Sequence, residues 1–477
     1  MRYCILFLLI AWIPAHSLAQ EQRSITFHVE GAPSQWLFLA NYWGNKLFYT
    51  DSAFTDAQGT AVFNRKAGYK AGLYAVLHGS NYAPFILNEA DIELSTATAD
   101  MKNRLSVQRS EENRLYQEHV RFVNIQNNVR SGLEAKAASD AGARAQLERI
   151  DKSIADHQHQ FIAQHAGTMA AALVAMEMPP AASPSGLDST GAAGHRRTHF
   201  WDRVDLTNDN LARTPAYQNN LDEYFGRYVG SDPGSVIAAA DELLGRLASS
   251  PDLFRLTITR LLERVNDPEK PGNDAVFVHL VHTYHCPKNG TPTRAKWMAP
   301  QDLRNICGRA DKAAPLVIGN KAHELILPDT TGKNWVKLSA LKSDWVMLVF
   351  WSPHCGHCRS TLPQLHERYL KELKGLGVEV YAVAEAHDST LTADWKKFVK
   401  EHKLSWVNVG IHNDVYQAVR KDRSAFVPKL TNNESLNYQD AWAARSTPMF
   451  YLIDKDRRIA AKRMTPDQVV ELVSKSR

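Results

Sequence analysis

Apolar and polar positions change rhythm along the 477-residue chain, and each rhythm predicts a different kind of element. Near the N-terminus Ser24-Ile25-Thr26-Phe27-His28-Val29-Glu30 alternates, as a strand with one buried face must. Gly31-Ala32-Pro33 interrupts the pattern. Strand-like stretches follow at 36–42, 61–63, 72–77 and 91–94, with a turn at Asp56-Ala57-Gln58-Gly59. Short strands with turn signals predict a small β-sandwich, whose aromatic residues supply either its core or a binding surface. From Glu111 the spacing becomes helical: Leu115, His119 and Phe122 share one face, and Leu147, Ile150, Ile154 and Phe161 continue it across 135–164. Further helices are predicted over 214–228, 235–249, 253–264 and 274–284. Met178-Pro179-Pro180 stops a helix, and 180–194, rich in Ala, Ser, Gly and Pro, reads as an exposed, mobile loop.

In the last third, strand-like and helix-like stretches alternate. The apolar run 345–350 suits a parallel strand covered on both faces. Leu362, Leu365, Tyr369, Leu370 and Leu373 then fall at helical spacing across 359–374. Strands are expected at 378–384, 406–409, 449–454 and 458–462, helices at 394–401 and 467–474, and an entry hairpin over 322–338. The prediction is a multidomain α+β chain: a leader over 1–19, an N-terminal β-sandwich over 20–100, a central helical domain over 101–312 and a C-terminal α/β domain over 313–477.

Candidate chemistry sits where the apolar strand hands over to the helix, at Trp351-Ser352-Pro353-His354-Cys355-Gly356-His357-Cys358. Unpaired N–H groups at a helix N-terminus favour negative charge, so a thiolate there is stabilised. Cys355 is therefore the expected nucleophile, and Cys358 lies one turn later within reach of its sulfur. Protonated His354 and His357 would favour the thiolate further. The pair can cycle between dithiol and a Cys355–Cys358 disulfide. Half a zinc site fits less well, because no second CxxC exists and both histidines lie too close to the cysteines. Neither a metal nor a cofactor is expected.

This stretch resembles the active site of the thioredoxin superfamily, with the Gly-His dipeptide of protein disulfide isomerases. Phe350 to His354 and Thr361-Leu362-Pro363 resemble the TlpA-like branch of envelope thiol–disulfide oxidoreductases. The resemblance implies a thioredoxin fold for 313–477, with Cys355 attacking and Cys358 resolving. It implies a cis Pro448 beside the cysteines, Thr447 offering backbone groups to substrate, and Trp351, Pro353 and His354 on the substrate-binding surface. Asp51-Ser52-Ala53, Gly59 and Gly72-Leu73-Tyr74 resemble a β-domain that often precedes such domains in exported proteins. His195, Arg196, Arg197, His199, Phe200-Trp201-Asp202 and Thr214-Pro215 resemble the helical domain that joins the two. The chain departs from the pattern at Val349, where many thioredoxins carry a buried acid. Glu385 and His357 are then the candidates for proton transfer. The stretch 410–445 is longer than the pattern requires and is expected to form a lid or partner surface.

Arg2, the apolar run 5–13 and Ser17-Leu18-Ala19 predict a cleaved leader, hence a periplasmic or envelope location and no membrane span after cleavage. Disulfides persist there, so Cys286 and Cys307 either bridge or remain as two thiols. A net charge of +5 without a basic block gives no reason to expect a nucleic-acid partner. The expected partners are protein thiols or disulfides and an upstream redox donor or acceptor. Two other readings stay open. One is a peroxiredoxin-like thiol peroxidase, although Leu348 stands where that chemistry wants a proline. The other is an envelope binding protein with secondary redox activity.

Overall fold

A computed structural model describes residues 24–64, 69–267, 270–286 and 292–476. The predicted leader lies outside them. The chain divides into two compact units. One comprises the described residues up to Val229 with Leu243–Thr257; the other comprises Gly230–Glu242 and the described residues from Ile258 onward. The helical stretch expected over 101–312 is thus shared between the units. Side-chain ties follow that division. Tyr217 and Thr257 share a hydroxyl–hydroxyl bond of 2.6 Å in the first unit, while Asp241 accepts from His279 at 2.9 Å and Tyr284 at 2.8 Å in the second.

The first unit opens with β1 (Ser24–Glu30), β2 (Trp36–Trp43), β3 (Lys46–Phe54), β4 (Thr60–Asn64), β5 (Gly72–His78), β6 (Asn81–Leu87), β7 (Asp91–Ala97) and β8 (Ser106–Arg109). They form two four-stranded sheets, ordered β4-β1-β7-β8 and β3-β2-β5-β6. Ile25, Phe27 and Val29 of one sheet and Leu37, Leu39 and Val76 of the other meet in one apolar cluster. The strands β3, β6 and β8, not anticipated from the sequence, are all sheet edges. β3 has no fully buried position, and β6, although it buries Ala83, Phe85 and Leu87, carries Pro84, which only an edge tolerates. Gly44, at φ 54°, makes the tight turn that joins β2 to β3. Trp36, Phe38, Tyr49 and Phe54 of β2 and β3 are exposed, whereas Phe27, Phe63, Tyr74 and Phe85 form core.

Helix Glu111–Ala137 follows, capped by Ser110, whose hydroxyl accepts from Asn113 N–H at 3.2 Å. Helix Ala141–Gln164 is capped in the same way by Asp140. The loop expected over 180–194 is shorter than predicted. Asp188 caps a helix, Ser189–Thr198, whose small residues had read as breakers. Arg213, at the end of the 3₁₀ turn Asp209–Arg213, is buried. It donates to Asp252 at 2.6 Å, to the Ala71 carbonyl at 2.7 Å and to Asn210 at 2.7 Å. Asp252 keeps Lys70 as a partner at 2.7 Å, so Arg213→Ala is expected to cost about 1–3 kcal/mol, chiefly by leaving the Ala71 carbonyl and Asn210 without their donor. Urea unfolding monitored by fluorescence checks this; an unchanged midpoint would contradict it.

The second unit carries helices up to Pro300–Ala313, then β9 (Ile326–Pro328), β10 (Trp335–Lys337), β11 (Trp345–Trp351), β12 (Val378–Ala384), β13 (Val407–Gly410), β14 (Met449–Ile453) and β15 (Ile459–Lys462). β9 and β10 pair as the entry hairpin. The main sheet runs β13-β12-β11-β14-β15, with β11, β12 and β13 parallel, β14 antiparallel to β11, and β15 antiparallel to β14. Both faces of β11 are buried. Met347, Val349 and Trp351 pack on one side with Leu362, Trp395 and Phe398; Val346, Leu348 and Phe350 pack on the other with Leu327, Tyr438 and Trp442. This order gives the C-terminal region a thioredoxin-like fold within a mixed α/β chain that has a helical middle region. No helix among the described residues is long and apolar enough to cross a membrane.

Cys286 and Cys307 are bonded, with Cα atoms 5.7 Å apart and a sequence separation of 21. The bridge ties the end of helix Asn273–Tyr284 to helix Pro300–Ala313. Closing a loop of this length stabilises by about 3 kcal/mol in the chain-entropy account. A Cys286→Ala, Cys307→Ala protein should therefore melt several degrees lower in calorimetry, with exchange chemistry retained.

Candidate active site

Strand β11 ends at Trp351, and four residues later Cys355 caps the helix Gly356–Arg368. The Cys355 N–H donates to the Ser352 carbonyl at 3.1 Å, which folds the chain back over the strand end. The Cys355 carbonyl accepts the Arg359 N–H at 3.1 Å and starts the helix. Its sulfur occupies the place of a capping side chain, accepting the Cys358 N–H at 3.3 Å. The thiol in turn donates to the Thr447 carbonyl at 3.4 Å. The Thr447-Pro448 peptide is cis. Val427-Pro428 is also cis, and nothing in the sequence singled it out. Both cysteines are free, so the pair stands as the dithiol and not as the disulfide.

Burial separates the two thiols. Cys355 is partly exposed, whereas Cys358 is wholly buried beside Trp351 and Leu362. Burial pushes Cys358 up, and its hydrogen bond to Cys355 adds to this, to a pKa of about 11. Burial also acts upward on Cys355, but hydrogen bonds from the Cys358 thiol and N–H, from Thr447 and from the His357 N–H outweigh it and hold Cys355 below its ordinary value. The imidazoles are not the source of this lowering. His354 instead binds Asp394 through Nε2 at 2.7 Å, and the His357 side chain points into solvent, leaving its backbone N–H as its contribution.

Other predicted site residues lie elsewhere than expected. Trp351 and Pro353, assigned to the substrate surface, are buried; Trp351 packs against Phe398 with ring centroids 5.2 Å apart. Their apolar contacts hold the strand-to-helix turn, which leaves His354, Gly356, His357, Thr447 and Pro448 reachable around the Cys355 sulfur. Glu385 stands one residue past β12, its N–H donating to the Trp351 carbonyl at 2.9 Å. Its carboxylate accepts from Gln439 at 3.2 Å and lies 3.9 Å from His387, so it is not bonded to Cys358. Among the described residues no carboxylate hydrogen-bonds either cysteine, and Val349 is buried in the cluster that surrounds Cys358. The stretch 410–445, expected to form a lid or partner surface, is anchored toward its C-terminal end. Tyr438 stacks on Phe350 with centroids 5.6 Å apart and planes 7° from parallel, and Trp442 is fully buried. Their spacing of four positions was the signal available for it.

Residues 318–462, which hold both cysteines and Thr447-Pro448, match the model of the AhpC/TSA family. No curated protein matches the chain. Among solved structures, the thioredoxin domain of a thiol-disulfide oxidoreductase from Bacteroides vulgatus is similar, at 24% identity and a TM-score of 0.27, over 34% of this chain and 97% of that one. A thiol:disulfide interchange protein from Bacteroides sp. aligns at 26% identity and a TM-score of 0.26, over 33% of this chain and 89% of that one. A thioredoxin-like protein from Bacteroides caccae aligns at 18% identity and a TM-score of 0.42, over 62% of this chain and 98% of that one.

Proposed function

We propose that the chain is an exported thiol–disulfide oxidoreductase acting on protein substrates through Cys355 and Cys358. One observation carries the reading: a lowered thiol at a helix N-cap, 3.3 Å from the N–H of a buried partner cysteine and 3.4 Å from the carbonyl ahead of Pro448. The Cys355 thiolate attacks one sulfur of a substrate disulfide. The substrate S–S bond breaks, a mixed disulfide forms, and the departing thiolate takes up a proton. Cys358 then gives up its proton and attacks the Cys355 sulfur, releasing the second substrate thiol. Two electrons pass to the substrate and the chain is left as the Cys355–Cys358 disulfide. An upstream redox partner resets it, and the same steps reversed oxidise a substrate dithiol. Thr447 backbone groups and Pro448 would hold the extended substrate segment. The leader over 1–19, an envelope location and a β-sandwich built from the first two sheets complete the proposal.

The family description keeps a thiol peroxidase in view. That chemistry wants a hydroxyl facing the nucleophile, but Ser352 is buried, with its Oγ accepting the His354 N–H at 3.4 Å. Reduction of insulin disulfides in the presence of dithiothreitol, measured beside hydrogen peroxide turnover, separates the readings. Insulin reduction that is lost in Cys355→Ser supports exchange; peroxide turnover without insulin reduction would replace it.

A further inference from the structure

We propose that the second unit carries a binding groove for a small organic anion, a carboxylate or phosphate attached to an apolar body. A cavity of about 410 Å³ is lined by Arg309, Lys312, Arg445, Lys462 and Arg463, against the carboxylates Asp274 and Asp440. Both carboxylates are already engaged. Asp274 accepts from Lys462, whose ammonium also donates to the Leu316 carbonyl at 2.7 Å. Asp440 accepts from Arg445 at 2.6 and 3.2 Å. Asp267 lies close enough to Arg463 to support its charge. Lys312 makes no ion pair among the described residues, although its charge is felt by Asp440, and Arg309, one turn away on helix Pro300–Ala313, has no carboxylate partner there. Two cations at this spacing on one helix repel each other, and an anion between them removes the repulsion.

The groove is shaped for more than a bare ion. The Arg309 guanidinium lies 5.1 Å over the Phe277 ring, which restrains its planar fork toward the cavity. Phe277, Leu316 and Tyr451 supply an apolar wall. The volume falls within the range of small-ligand sites, and inorganic phosphate alone would leave most of it unfilled. A cation rim over an aromatic and aliphatic wall recognises an anion that carries an aromatic or aliphatic portion. Neither cysteine nor Thr447 lines this cavity, so occupancy does not depend on the redox chemistry.

Isothermal titration of the whole chain at low salt, with phenyl phosphate as the probe and inorganic phosphate and phenol as its two halves, tests the site. Phenyl phosphate should bind at least about tenfold more tightly than phosphate, the least that burying the ring in an apolar wall should add. The double variant Arg309→Glu, Lys312→Glu should weaken phenyl phosphate by at least about tenfold while leaving the melting curve in place, because both residues are exposed. Phe277→Ala should narrow the preference for phenyl phosphate over phosphate. Co-sedimentation with phosphatidic acid vesicles, lost in the double variant, would assign the anion to a lipid headgroup; titration without co-sedimentation would assign it to a free solute. Absence of binding to the parent chain in both arms, or equal binding to the double variant, would overturn the proposal.

Discussion

A Cys358→Ser chain is expected to stop at the mixed disulfide. Incubated with envelope proteins, it should accumulate covalent adducts that dithiothreitol releases, and its turnover on insulin should fall by at least about a thousandfold, the scale on which loss of a covalent-catalysis residue acts. The geometry gives the reason. Cys358 is wholly buried behind Cys355, so among the described residues the accessible attacking sulfur belongs to Cys355, and release of the substrate depends on the second thiol reaching forward. Serine fills the same space but its hydroxyl does not attack a disulfide at neutral pH. Cys355→Ser should form no adducts, because the exposed sulfur is gone. Near-UV circular dichroism establishes that both variants keep the fold. Adducts of equal yield in the two variants, or none in Cys358→Ser while insulin reduction persists, would remove the two-step exchange.

The most legible part of the chain was the part with the strictest local demands. A strand buried on both faces needs an unbroken apolar run, and 345–350 supplied it; a cysteine at a helix start needs strand-turn-helix punctuation, and Trp351 to Cys358 supplied that. The elements that escaped have weak signatures for physical reasons. β3 and β8 are edges with no fully buried position, so neither shows the alternation that marks a half-buried strand, and in β6 Pro84 sits within the alternation of Ala83, Phe85 and Leu87. Helix Ser189–Thr198 is assembled from Ser, Thr, Gly, Ala and basic residues and buries no side chain, which leaves its Asp188 cap as the main sign. The helix after Cys358 passes into a π-turn at Tyr369–Leu373, a local change of hydrogen bonding that apolar spacing does not reveal.

Side-chain direction was the harder problem inside the site. Sequence proximity put His354 beside Cys355, yet its imidazole is held by Asp394, 40 positions away. The resemblance put Trp351 and Pro353 on the substrate surface, yet both are buried, because a short turn between a buried strand and a packed helix has little freedom to expose them. Glu385 was reached correctly as a neighbour of the active-site strand, but its carboxylate turns toward Gln439. Long-range pairing of this kind has no periodic signal. The exception is Thr447-Pro448, where the family resemblance supplied a placement that spacing alone could not, and the structure puts the Thr447 carbonyl 3.4 Å from the Cys355 sulfur.

In the fully reduced protein, Cys355 should alkylate rapidly near neutral pH while Cys358 stays silent until the pH approaches its pKa of about 11. The thiolate is the reacting form, so at pH 7 a thiol of pKa 11 presents an anion fraction of about 10⁻⁴. Cys355 lies below its ordinary value of 9.0, which makes its anion at least about a hundredfold more abundant than that of Cys358. Partial exposure of Cys355 widens the gap in rate. The sign with pH follows: the Cys355 rate falls as pH drops through its lowered value, and the Cys358 rate rises only as pH climbs through its raised one. Iodoacetamide labelling across about pH 5 to 10, read by peptide mapping, measures both. His354→Ala separates the two possible origins of the lowering. The bonds that lower Cys355 come from Cys358, Thr447 and the His357 backbone, so the variant should leave the Cys355 profile where it is. A profile moved upward by a full unit would return the imidazole to the site as the source of the thiolate, and equal labelling of the two cysteines at neutral pH would end the assignment of Cys355 as the nucleophile.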